Sequence, residues 1–157
     1  MKPNVYLETT VISYLAAKPS RDIIVAAHQQ ITGEWWELAR GNVTGFISPF
    51  VIQEISAGDP EAAQKRLHIV EEFSVLELNP EIQSLALMYF DRLEIPDKAL
   101  LDASHLAVAV WHEMDYLLSW NCKHIVSGRV IKALEGINSS LGIRTPVLCT
   151  PEELMEV

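Results

Sequence analysis

From Lys98 to Met114 the chain reads KALLDASHLAVAVWHEM, and this stretch decides the fold. Leu100, Leu101, Leu106, Val108, Val110 and Trp111 point to most sides of a helix, and a helix that is apolar nearly all round is a buried one. Pro96 and Asp97 supply its start, with Asp97 as the N-cap. Just beyond it, Tyr116-Leu117-Leu118 reads as a short strand.

The same alternation extends in both directions. Val5-Tyr6-Leu7 reads as a first strand and Gly45-Phe46-Ile47-Ser48 as a second. Ser74-Val75-Leu76 and Pro146-Val147-Leu148 are two more. Between the first two strands, Ile24, Ala27, Ile31, Trp35 and Leu38 recur at the spacing of one helix face, with Trp35 in the core and Trp36 turned toward a partner surface. Leu85, Met88 and Leu93 repeat that spacing later. Gly58-Asp59-Pro60 is a turn between two short helices. Strands alternating with helices predict a three-layer α/β/α sandwich with a short, mainly parallel central sheet, spanning residues 1–157 as a single domain.

The chain has 157 residues, 49% of them apolar, which is enough for a continuous core. No apolar run reaches the length of a membrane span. The opening MKPNVYLETTV is too short and too polar for a secretory signal, so a cytoplasmic location is expected. Cys122 and Cys149 form no framework pattern and read as two unpaired thiols. With Cys122, His124 would supply only two of the four ligands that a structural zinc site needs. The formal net charge of −9 argues against a protein that grips nucleic acid by counterion release. It leaves open a site in which clustered carboxylates hold divalent ions that meet a phosphate.

Glycine-rich phosphate loops, nucleophile elbows and zinc-protease helices are all absent. What remains is a set of acids in particular places. Glu8 directly follows the first strand. Glu54 lies past the second, in a helix that Pro49 helps to start. Asp102 sits near the start of the apolar helix, where a carboxylate needs a metal, a cation or backbone donors as partner. Asn121 follows the Tyr116-Leu117-Leu118 strand. Ligands of open α/β sheets bind beyond the carboxyl ends of the strands, so all four can converge on one edge. Singly, Glu8 also reads as a first-turn acid, Glu54 as an exposed helix residue and Asn121 as a turn or cap residue.

These positions carry a resemblance to the PIN-domain family. Val5-Tyr6-Leu7-Glu8-Thr9-Thr10-Val11-Ile12 resembles its opening strand, acid and hydroxyl-bearing helix start. Ser48-Pro49-Phe50-Val51-Ile52-Gln53-Glu54-Ile55 is similar to its second motif, Leu101-Asp102-Ala103-Ser104-His105-Leu106-Ala107 to its third, and Tyr116 through Ile125 to its fourth. The members most similar to this chain are VapC-type toxins. The resemblance implies an Mg²⁺- or Mn²⁺-dependent ribonuclease cutting RNA phosphodiesters, an antitoxin partner and a homodimer. Glu8, Glu54 and Asp102 would then be the metal-binding carboxylates. Asn121 would be a fourth catalytic residue, orienting a water or the phosphate.

Two positions depart from the family pattern, since Glu8 and Asn121 stand where aspartate is usual. Asn121 brings no charge, so three carboxylates would hold one ion and a second would arrive with the substrate phosphate. Glu54 would hold a metal-bound water or act as its general base. Thr9 and Ser119 read as hydroxyls that support the acids or as ordinary caps. His105 shares a helix face with Asp102 and reads as a buried histidine bonded to backbone. Lys123 and His124 would reach RNA phosphates or lie in a solvated turn, and Asp97 is the rival to Asp102 as a ligand. The alternative function is a non-catalytic PIN-fold module that binds RNA or protein. A phosphatase with an aspartyl nucleophile fits poorly, because an aspartate would be needed where Glu8 stands.

Overall fold

Short apolar runs bounded by caps and prolines form the strands and helices expected of them. In the computed structural model, which describes residues 1–157, the order is β1 (Asn4–Leu7), α1 (Thr9–Ala16), α2 (Ile23–Leu38), β2 (Thr44–Ile47), α3 (Pro49–Ile55), α4 (Pro60–Val70), β3 (Ser74–Val75), α5 (Pro80–Arg92), α6 (Leu100–Trp111), β4 (Tyr116–Leu118), α7 (Gly128–Leu141) and β5 (Val147–Cys149). Three helices begin with proline behind a polar cap, because proline's fixed φ suits the first turn and its missing N–H has no partner to lose there. Ser48 accepts from the Phe50 N–H, Asp59 from Ala62 and Asn79 from Ile82. Gly58, at φ 84°, makes the turn between α3 and α4.

The sheet order is β3-β2-β1-β4-β5, and every pairing is parallel. The chain winds outward from β1 through β2 to β3, then returns to the other side of β1 for β4 and β5. That reversal puts a topological switch point between β1 and β4, where ligands of open parallel sheets bind. Val5, Tyr6, Leu7, Leu117 and Leu118 are fully buried and belong to one continuous core of 34 residues. A strand buried on both faces reads as an unbroken apolar run, which is why these strands were visible without alternation.

Three local expectations are corrected. Asp97 does not cap α6. It opens a short 3₁₀ turn, Asp97–Ala99, that separates it from the helix, and Ala99 stands at the cap position without a side chain to accept a bond. Leu100 and Trp111, at the two ends of α6, are exposed, and burial runs from Ala103 to Val110. The helix α2 forms, but its buried side differs. Thr32 and Trp35 face inward, while Ile24 and Leu38 are 67% and 72% exposed. Trp35 is buried as expected, and its indole N–H donates to the Leu154 carbonyl at 3.2 Å. Trp36 is half-buried, with the Arg40 guanidinium 4.6 Å above its ring and Phe73 edge-on at 5.8 Å.

The cysteines are free, Cys122 exposed and Cys149 buried, and burial pushes the Cys149 thiol up to about 12. No helix is long and apolar enough to cross a membrane.

Gly45 and Gly33 make opposite predictions. A Cβ on Gly45 would lie 2.6 Å from the Phe73 ring, which is itself held by Trp36, so Gly45→Ala should lower stability by about 1–3 kcal/mol. Gly33 sits inside α2, and a methyl group added there would meet nothing within 4 Å, so Gly33→Ala should raise stability by about 0.5–1 kcal/mol. Urea unfolding of the two variants beside the wild type checks both signs.

Candidate functional site

The β1–β4 ladder continues one residue past the strands. The Glu8 N–H donates to the Leu118 carbonyl at 3.0 Å, and the Ser119 N–H donates to the Cys149 carbonyl at 3.0 Å. Glu8 and Ser119 therefore leave the sheet side by side at its carboxyl edge. Glu8 is 3% exposed and caps α1. Its Oε1 accepts from the Thr10 N–H at 3.2 Å, the Thr10 hydroxyl at 2.6 Å and the Ser119 hydroxyl at 2.6 Å. All three donors meet one oxygen, which fixes the carboxylate and leaves Oε2 outside the capping bonds. Burial raises the Glu8 pKa, and the charge of His105 with the Ser119 and Thr10 bonds only partly offsets that rise.

Glu54 reaches the same edge from α3. Its Oε1 accepts from the Thr9 hydroxyl at 2.6 Å and lies 2.5 Å from His105 Nε2. His105 is fully buried on α6, and its other ring nitrogen is 2.6 Å from the Tyr6 hydroxyl, which meets the Ser48 hydroxyl at 2.7 Å. The chain of contacts Ser48–Tyr6–His105–Glu54–Thr9 thus draws on β1, α1, α3 and α6. Burial pulls the His105 pKa down, but the bond to Glu54 and the charges of Glu8, Glu54 and Asp102 outweigh it and the net shift is upward. For Glu54, burial pushes up, while the bond to His105, its charge and the Thr9 hydroxyl together bring the pKa below its usual value. Both shifts have one source, the contact between His105 and Glu54, which favours the charged form of each.

One ligand atom from each of Glu8, Glu54 and His105 falls within 4.8 Å of the others. Carboxylate oxygens suit hard divalent cations, so Glu8 and Glu54 fit such an ion, whereas both ring nitrogens of His105 are already engaged by Glu54 and Tyr6. Of the acids named from sequence, the structure brings Glu8 and Glu54 together. Asp102 stands one helical turn before His105, with its Oδ2 2.9 Å from His124 Nδ1, and both side chains are nearly buried. Asn121 follows β4 as expected, but its Oδ1 accepts from the His124 N–H at 3.0 Å and its carbonyl accepts from Ile125 and Val126. Its side chain shapes the turn that presents His124.

Sequence reading placed Thr9 and Ser119 beside the acids, and each hydroxyl donates to one of them. It assigned His105 a backbone partner, and the structure gives it side chains instead. Tyr6 and Ser48 were missed as site residues. One signal for Tyr6 was present, since a tyrosine inside a strand buried on both faces needs a partner for its hydroxyl.

No protein-family model and no curated protein matches the sequence. A solved structure does. A chain in the crystal structure of VapBC2 from Rickettsia felis, bound to a DNA fragment from their promoter, superposes on this one with a TM-score of 0.58, covering 94% of this chain and 98% of that one at 16% identity. The two chains share a fold. That likeness agrees with the PIN-like arrangement implied by the four motifs, now seen as a five-stranded parallel sheet flanked by seven helices.

The upward shift of His105 has a pH consequence. A group whose pKa rises on folding contributes stability that is complete below its unfolded value, about 6.5, and is lost as pH climbs through the folded value. In chelator, the wild type should therefore lose stability as pH rises above neutrality, and His105→Gln should flatten that decline. Urea midpoints across pH 6 to 9 decide it, and parallel pH profiles for the two proteins would reject the ion pair.

Proposed function

We propose that this chain is a metal-dependent endoribonuclease, and that it acts as the toxin of a toxin–antitoxin pair. The observation that carries the reading is the meeting of Glu8 and Glu54 at the sheet's carboxyl edge, at the switch point between β1 and β4. Asp102, paired with His124 outside that cluster, is the third carboxylate of the proposal. The shared fold with a VapBC2 chain supports the toxin reading and, with it, an antitoxin partner. A homodimer, a single domain and a cytoplasmic location belong to the same proposal.

Glu8, Glu54 and Asp102 would hold an Mg²⁺ or Mn²⁺ ion. A divalent ion there lowers the pKa of an attacking water and offsets charge on the phosphate. The chain's own residues do the positioning. Thr10 and Ser119 hold Glu8 Oε1, so its second oxygen is the one directed to a ligand. His105, fixed from behind by Tyr6, sets the orientation of Glu54 and limits the mutual repulsion of the acids. His124, steadied by Asp102 and by the Asn121 turn, is the proposed contact to the substrate phosphate. Thr9 donates to the same Glu54 oxygen that His105 meets, which leaves Oε2 outside both contacts.

A specific observation favours a second reading, the non-catalytic module. His105 already bonds Glu54 and its pKa is shifted toward the charged form, so the carboxylates are tolerable together without an ion. Metal binding separates the two. Calorimetric Mn²⁺ titration should show binding by the wild type and its loss in Asp102→Asn, which should keep the wild-type circular dichroism. Cleavage of a mixed RNA substrate should fall by at least about a hundredfold in the same variant, the scale of removing one group that stabilises the transition state. Full cleavage by Asp102→Asn would reject the assignment of Asp102, and absence of both binding and cleavage in the wild type would favour the module.

A further inference from the structure

Beside the acidic cluster lies a group of aromatic side chains that the cluster does not use. Trp120 lies two residues past the end of β4, is 7% exposed, and stacks on the imidazole of His28 with ring centres 4.0 Å apart and planes 11° from parallel. Tyr14 of α1 is 6.3 Å from His28 and 6.5 Å from Trp120. Those near-equal distances place Tyr14 alongside the stacked pair. A ring sandwiching His28 would lie much farther from Trp120. The face of His28 turned away from Trp120 therefore has no aromatic neighbour. Both His28 and Tyr14 are partly buried and keep some exposure to solvent.

The stack is fixed from two directions. The Trp120 indole N–H donates to the Thr32 hydroxyl at 2.7 Å, and that hydroxyl donates to the His28 carbonyl at 2.6 Å, one turn back on α2. The Trp120 backbone N–H donates to the Thr10 hydroxyl at 2.8 Å, which in turn donates to Glu8 Oε1 at 2.6 Å. A single residue thus links the aromatic floor to the buried carboxylate. This bonding also explains why α2 turns Thr32 inward and leaves Ile24 and Leu38 to solvent.

Charge narrows what such a surface holds. At a net −9, the chain has little means of gripping a polyanion by releasing counterions. Stacking on an aromatic face needs no charge and accepts any base, provided the base is unpaired. In a duplex the faces of a base are covered by its neighbours, whereas unstacked bases in loops and ends are free to splay onto a ring.

We propose that His28, backed by Trp120 and flanked by Tyr14, is a stacking site for an unpaired nucleobase adjoining the phosphate that meets Glu8 and Glu54. The proposal rests on the ribonuclease reading and adds to it a base-binding subsite beside the cleaved bond. Recognition at this point is tolerant of base identity, and His28 is a positioning residue for the substrate.

The test uses a fluorescein-labelled 2′-O-methyl hexa-adenylate with methylphosphonate linkages, which is uncharged along its backbone and cannot be cut. Fluorescence anisotropy then reads stacking without metal or repulsion. The wild type should bind, His28→Leu should weaken binding by at least about tenfold, and His28→Phe should stay within about threefold of the wild type. Tyr14→Leu, on the other helix, should weaken it by about threefold or more. Mn²⁺ titration of the same folded variants should match the wild type. Equal hexamer binding by His28→Leu and Tyr14→Leu would overturn the site, as would a wild type that binds Mn²⁺ but no hexamer. Hexamer binding by a protein that takes up no Mn²⁺ would support the stacking site and remove the catalytic reading.

Discussion

The imidazole of His105 is buried among carboxylates, and the carboxyl edge of the sheet depends on its charge. Glu8 and Glu54 converge because β1 and β2 are parallel neighbours whose ends lie on the same edge. Like charges brought that close would push each other's pKa up or drive the ends apart. His105 relieves this by bonding Glu54 directly, and its other nitrogen is anchored by a tyrosine from the central strand. Burying an imidazolium is itself costly, so the arrangement is stable only with every polar atom engaged. No buried side-chain nitrogen or oxygen in the chain lacks a hydrogen-bond partner.

This dependence explains the distribution of the surrounding residues. Hydroxyls sit wherever a carboxylate needs a donor without added charge, at Thr9, Thr10 and Ser119. Thr9 and Thr10 open α1 just beyond β1, and Ser119 follows β4, where the backbone is already leaving the sheet. Asp102 stays outside the tight cluster and is paired with His124, so a second carboxylate–imidazole pair stands at the rim of the first. The site is therefore built of two such pairs, one joining a fully buried His105 to a partly exposed Glu54 and the other joining Asp102 and His124, both largely buried.

The strands were legible because burial on both faces writes unbroken apolar runs into the sequence. The positions of Glu8 and Glu54 were legible because each follows a strand by a short, countable distance. The side-chain pairing was not. Tyr6 and His105 are 99 residues apart, and no periodicity connects them. The buried side of α2 was misread because its apolar spacing is real but faces solvent, while polar Thr32 turns inward to meet an indole. Helix ends were equally opaque where Glu94 and Glu113 adopt φ of 55° and 54°, a conformation usually signalled by glycine. Asp97 shows the converse, since a residue suited to capping does not cap when a 3₁₀ turn intervenes.

His105 bridges the acidic edge to Tyr6, and its surroundings shift its pKa toward the charged form. Nitrogen-15 NMR of the histidine rings, assigned through His105→Gln, observes this directly at neutral pH in the presence of chelator. The account predicts that both His105 ring nitrogens carry protons and that at least one of these protons exchanges slowly with water. A single neutral tautomer, with one nitrogen bare, would contradict it.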